Sequence, residues 1–250
     1  MAFIPVSPQT HADVAFLPVA DFSFSAQAPL VPVVLPEMAL LTQSHALVFA
    51  KTPEGMRIYA LVGSAEKGNA YVLPDGRWAA PYVPLHLRKG GFALLKAQGR
   101  DDLVLCLNDE SHSDDPNALM LFDEAGELTD AAKTQFEIVK QGMGALNATN
   151  EAVEALEKAG VLKPWDVAIK NGNELAKTKG LFAIDPEALN NLSQEAFYAL
   201  KGSPMTLAYA HLFSVRNIHL LNMLLDRKAE QEEEVDLEAL FGDANDTLQF

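Results

Sequence analysis

Only one cysteine, Cys106, occurs in the 250 residues. No disulfide can form within the chain, and nothing in its cysteine usage points to an oxidising compartment. Long apolar runs are missing too. No window approaches the ~20 consecutive apolar residues that a membrane-spanning helix needs. The opening residues MAFIPVSPQTHADVAF have neither the basic start nor the unbroken apolar stretch of a secretory signal. Positive charge is scarce: 19 Lys and Arg stand against 34 Asp and Glu, for a net charge of −15. It ends altogether at Lys228, after which Glu230, Glu232, Glu233, Glu234, Asp236, Glu238, Asp243 and Asp246 supply eight negative charges, leaving −7 on the first 228 residues. Both parts repel a phosphate backbone and an anionic lipid surface. Nucleic acid is therefore disfavoured as a partner and membrane insertion is not expected. The simplest expectation is a cytoplasmic chain, with export by a route that uses no N-terminal signal left open.

Catalytic signatures are also missing. No Ser lies in a G-x-S-x-G context, and neither a Walker nor a dinucleotide fingerprint is present. The six histidines form no H-x-x-x-H pair, and His211 and His219 are eight residues apart, a little over two helical turns and too far to share a metal. The run NDESHSDD, with Asp109, Glu110, His112, Asp114 and Asp115, has hard oxygen donors but not the glycine and register of a calcium loop. It reads as a solvated loop. Cys106, within LVLCLN, reads as a buried structural thiol. No catalytic residue, cofactor or metal is expected, and enzymatic activity stays undecided, leaning against.

What is present is strand, then helix. Six prolines lie within residues 1–44, which suits extended segments and turns. HALVFAK, MRIYALVG, NAYVL, RWAAPYV, FALLKAQ, DLVLCLN and ALMLFD are short β-type runs separated by TPEG, PDG, QGRDD and EAG. They predict an antiparallel sheet, as a sandwich or partly closed barrel. The apolar period then changes: Ala132, Phe136, Val139, Met143 and Leu146 mark one helix face, with Thr129 or Asp130 as its cap. TNEAVEALEKAG predicts a second, shorter helix capped by Thr149 or Asn150. GLFAID predicts an extended segment, Asp185 and Pro186 a helix start, and residues 203–230 a long buried helix capped by Ser203. The expected architecture is α+β: one domain over 1–228, strand-rich to 125 and helix-rich over 126–228, then an acidic, disordered tail over 229–250. Within that tail Leu237, Leu240 and Phe241 fall at helical spacing. They are candidate anchors on a protein partner.

The most unusual stretch is GRWAAPYVPLHLRKGGF, residues 76–92. Trp78 and Tyr82 are amphipathic rings, and Arg77, Arg88 and Lys89 can stack on them or pair with the acidic body. The choice is between a wall of the core and a binding surface. Together with LVLCLNDES, LFDEAGELT, GVLKPW and GLFAIDPEALNNLSQEAFYALKGSPMTLAYAHLFSV, this stretch resembles the bacterial SapC family. The resemblance runs over most of residues 15–225. It implies a non-enzymatic interaction or accessory protein, linked by the family's name to bacterial surface layers, and it brings no established active site. One departure stands out: after Leu87 and Arg88 the family pattern has a second basic residue, an aromatic and Pro before Phe, where this chain has KGGF. The alternative expectation is a small-molecule-binding protein or enzyme whose pocket, between the sheet and the long C-terminal helix, is lined by Trp78, Tyr82, Arg88 and His211. The partner and the oligomeric state are not readable.

Overall fold

A computed structural model of the chain describes residues 3–96, 103–108, 111–171 and 174–241, with the side chains of 96, 171, 174–177 and 232–241 outside the description. The strands are β1 (Phe3–Pro5), β2 (Ala15–Phe16), β3 (Leu30–Pro32), β4 (Ala46–Thr52), β5 (Gly55–Leu61), β6 (Gly63–Ser64), β7 (Gly68–Asn69), β8 (Phe92–Lys96), β9 (Leu103–Asn108), β10 (Leu119–Met120), β11 (Leu162–Asn171) and β12 (Glu174–Ile184). The helices are α1 (Pro8–His11), α2 (Met38–Leu41), α3 (Leu85–Arg88), α4 (Asp130–Lys158), α5 (Pro186–Asn190), α6 (Gln194–Ala199), α7 (Ser203–Ser214) and α8 (Ile218–Phe241).

Every strand pairing is antiparallel, and the architecture is α+β. The main sheet has the order β11-β12-β4-β5-β3 and stays open at both edges; a smaller sheet has the order β1-β9-β8. Strand β4 is covered on both faces: Ala46, Leu47, Val48 and Phe49 are fully buried. The largest departure from the strands-then-helices order is the β11–β12 hairpin, which follows α4 and returns to pair β12 with β4; the four-residue helices α1, α2 and α3 also sit among the strands. Its first strand contains Pro164, which lowers its β propensity and kept LKPWDVAIKN from reading as a strand. Proline is tolerated there because β11 is an edge, where a missing N–H costs no ladder bond.

Two expected strands are not formed. After β7, residues 70–84 run as turns with a single bridge between Val72 and Trp78. Asn69 is the reason at one end, since its Oδ1 accepts the Tyr71 amide at 2.9 Å and replaces a ladder bond with a side-chain turn. Pro81 and Pro84 remove donors at the other.

The two helices expected over 130–160 are one, α4, about 43 Å long at 1.5 Å per residue. Thr129 caps it by accepting the Ala132 amide at 3.3 Å. Thr149, expected to start a new helix, instead donates to the Ala145 carbonyl one turn back at 2.6 Å and accepts the Leu35 amide at 3.0 Å. Its hydroxyl caps a neighbouring turn rather than its own helix. Conversely, the single helix expected over 203–230 is interrupted by a 3-10 turn at Val215–Asn217. The interruption turns Asn217 inward, where its amide donates to the carbonyls of Thr42 and His45, both at 2.9 Å. Gly202, with φ of 93°, precedes α7 in place of the Ser203 cap. Asp185 does cap α5, accepting from Glu187 and Ala188.

Two apolar clusters result. The larger lies on the main sheet, with Phe49, Leu61, Ile169, Leu207 and Leu221 among its buried side chains. The smaller lies on the β1-β9-β8 sheet around Phe92, Leu94, Leu105 and Leu107. Helix α4 belongs to both: Ala132 and Val139 pack in the smaller cluster, and Ala152, Val153 and Leu156 in the larger. The backbone of α8 runs on into the acidic segment as far as Phe241. Residues 242–250 lie outside the described residues. Among the described residues no helix is long and apolar enough to cross a membrane.

Candidate functional site

The stretch 76–92 is both a wall and a lining. Its wall side starts at Trp78, which continues a stack of flat rings: His45 on Tyr71 at 4.6 Å and Tyr71 on Trp78 at 5.3 Å, with the edge of Phe22 on Trp78 at 5.8 Å. Such offset and edge contacts suit the ring quadrupoles. The indole N–H of Trp78 donates to the Tyr82 carbonyl at 3.0 Å and sets the bend that follows.

The bend closes on a buried acid. Glu37, 1% exposed, sits in the 3-10 turn Leu35–Glu37. One carboxylate oxygen accepts the Val34 amide at 2.9 Å; the other accepts the Leu85 amide at 2.5 Å and the Tyr82 hydroxyl at 3.0 Å. Arg88 completes the set, donating to the Tyr82 hydroxyl at 3.1 Å with its guanidinium 5.1 Å from the ring centre. Its carbonyl accepts the Gln135 side-chain amide of α4 at 2.7 Å. Burial pushes the Glu37 carboxyl above its usual range, against the pull of the Leu85, Val34 and Tyr82 donors and of the Arg88 charge. Burial, with the Glu37 charge beside it, pushes the Tyr82 phenol up to about 12. Both Glu37 oxygens and the Tyr82 hydroxyl are engaged in bracing the 35–37 turn, α3 and α4 against one another, while Arg88 Nε stays buried without a partner among the described residues.

The other face of the same stretch borders a cavity of about 300 Å³. It lies where α4 crosses from the smaller cluster to the larger. Val34, Leu85, Phe92, Val139, Met143 and Leu146 give it an apolar wall, and Glu37, His86 and Lys89 are its ionisable lining residues. The close approach of α3 to α4 depends on Gly142, where a Cβ would come 2.8 Å from a Leu85 methyl. The KGGF turn is shaped by contact as well. Gly90 has φ of 57°, and a Cβ on Gly91 would overlap the Ser111 hydroxyl, so neither an aromatic nor a proline fits at these two positions.

Of the four residues expected to share a pocket, Trp78, Tyr82 and Arg88 form one connected group and His211 does not join it. His211 serves β4 instead. Strand β12 pairs with β4 only at Phe49 and Ala50, so the outward amide and carbonyl of Leu47 lack a strand partner. The His211 Nδ1–H donates to the Leu47 carbonyl at 2.9 Å, and the Ser214 hydroxyl accepts the Leu47 amide at 2.9 Å. Burial lowers the His211 pKa to about 4 and that of His45 likewise. Cys106 is buried in β9, and burial raises its thiol. In the acidic run, His112 pairs with Asp114 at 3.0 Å, while Asp109 and Glu110 lie outside the described residues. Leu237, Leu240 and Phe241 lie on the helical backbone of α8, with their side chains outside the description.

Sequence reasoning missed Glu37. Its only local signal was a Pro-Glu pair at the start of a short helix, which ordinarily marks an exposed capping carboxylate. The donors that bury it come from 45 and 48 residues further on.

The profile of the SapC family matches residues 6–221. The chain belongs to the SapC family. The match covers the main sheet, the smaller sheet apart from β1, all of α4 and the whole Glu37–Tyr82–Arg88 group, so the brace and the cavity lie within the SapC region. Most of α8, from Asn222 on, lies beyond it. Neither a curated protein nor a solved structure matches this SapC chain.

Proposed function

We propose that this chain is a binding protein of accessory type that holds a small, mainly apolar molecule in the cavity between α3, β8 and α4. The observation that supports it is the end of the α4 apolar stripe. Ala132 and Val139 are buried, whereas Met143 and Leu146, further along the same stripe, stay 37% and 46% exposed and line the cavity. The stripe outlasts the protein that covers it, which leaves apolar wall for a ligand to cover. A volume of about 300 Å³ is at the small end of the range for ligand sites, roughly 300–1,000 Å³. Binding, rather than bond-making, fits the buried acid of the lining, because both Glu37 oxygens are already engaged in structural hydrogen bonds.

The test is to fill the space. Met143→Trp replaces a flexible, partly exposed side chain on the wall with a larger one. A panel of small apolar compounds is screened against wild type and variant by thermal shift. Stabilisation of the wild type by at least one compound, reduced in a variant of equal intrinsic melting temperature, supports the reading. Equal responses in both proteins, or none in the wild type, would remove it.

A further inference from the structure

The charge balance at the cavity mouth narrows the ligand class, an inference that rests on the binding reading above. Lys89, half-buried at the end of α3, has no hydrogen-bond or ion-pair partner among the described residues. The acid that shares its cavity does not compensate it: Glu37 gives its oxygens to Val34, Leu85 and Tyr82, and its nearby cation is Arg88. From α4 the lining is Val139, Gly142, Met143 and Leu146, none charged. A partly desolvated ammonium without a counter-ion is unfavourable, and an anion supplied by a ligand relieves it. Consistent with this, burial holds the Lys89 pKa below its ordinary value.

His86 and Lys89 also line a second hollow of about 250 Å³, on the side of Phe24, Ser25 and Leu30. The two residues therefore stand at a divide, with the apolar cavity to one side and the more open hollow to the other. A ligand head at that divide can take hydrogen bonds from both side chains while its body points into the cavity. The net charge of −15 opposes an incoming anion only weakly, because exposed charges beyond about 8 Å are largely screened at physiological salt.

We infer that the cavity takes a monoanionic amphiphile: a carboxylate held between Lys89 and His86, on an unbranched chain of about ten carbons. The chain length follows from a volume of about 300 Å³ at roughly 30 Å³ per water-sized unit, close to the size of a methylene.

Isothermal titration calorimetry of the full chain at pH 7.5 and moderate salt tests it with four probes: decanoate, 1-decanol, decyltrimethylammonium and acetate. Decanoate binds most tightly and acetate does not bind. Lys89→Met, which keeps most of the unbranched side chain and removes its charge, weakens decanoate about tenfold, the scale of one charge-assisted hydrogen bond. The same variant leaves decanol unchanged, which a merely damaged fold would not. Decanol or the ammonium binding as tightly as decanoate, or decanoate binding unaffected by Lys89→Met, overturns the anionic head while leaving the cavity reading in place. Failure of all three ten-carbon probes to bind overturns both.

Discussion

Replacing Glu37 by Gln should destabilise the protein although the two side chains have nearly the same shape. The amide oxygen can still accept the Val34 amide. The NH₂ group then faces the Leu85 amide and the Tyr82 hydroxyl, where the carboxylate oxygen now accepts at 2.5 and 3.0 Å. Tyr82 can turn its hydroxyl to accept, but the Leu85 N–H is fixed by the backbone and loses its only acceptor. A buried donor left without a partner costs about 1–3 kcal/mol. For a chain of this size each kcal/mol moves the melting temperature by roughly 2–4 °C, so a fall of several degrees is expected at neutral pH. The pH dependence has a definite sign. The folded Glu37 pKa is raised above its unfolded value of 4.5, so the native state holds this proton more tightly. The associated stabilisation is full below pH 4.5 and is lost as pH rises through the folded pKa. Gln cannot titrate. The deficit of the variant should therefore be larger in acid than at neutrality. Scanning calorimetry of both proteins between pH 4 and 7.5 measures this. A variant that melts within a degree of wild type throughout would refute the claim that Glu37 braces the bend.

Thr149→Val should cost about 1 kcal/mol by leaving the partly buried Leu35 amide without this acceptor, whereas Thr149→Ser should recover most of it; urea midpoints separate the two. Leu207→Ala, at a fully buried position on α7, should cost about 2–5 kcal/mol by opening a cavity in the larger cluster, measured by chemical denaturation. His45 and His211 should work against acid stability. Their folded pKa values of about 4 lie below the unfolded 6.5, so the unfolded state binds protons first as pH falls from 6.5 towards 4. Each then removes up to about 1.4 kcal/mol per pH unit across that window. A titration of stability against pH that is as steep in His211→Asn as in wild type would contradict this assignment.

Local patterns in the sequence carried much of the fold. The alternating runs that became β4, β5, β8 and β9 and the change of period at α4 are short-range signals, as is the Asp185–Pro186 start of α5. What was not legible depends on partners distant in the chain. Thr149 looked like a cap because its hydroxyl must bond something; that its partner is Leu35, 114 residues away, has no local trace. The strand β11 was masked by Pro164, which only an edge position permits. The site divided in the same manner. Trp78, Tyr82 and Arg88 were conspicuous by type and spacing and do form one group. His211 was equally conspicuous, yet it is engaged by a strand whose neighbour has diverged. The uncovered end of the α4 stripe could not be read at all, because periodicity shows which face is apolar and not how far the protein covers it.

The single helix that serves two clusters also sets how the molecule comes apart. Neither sheet can release its half of α4 without straining the other half, so the pair should melt in one cooperative transition despite having separate interiors. Amide exchange in the middle of the helix, around Gly142, should then report on a slight parting of the two halves, the motion by which a guest would enter.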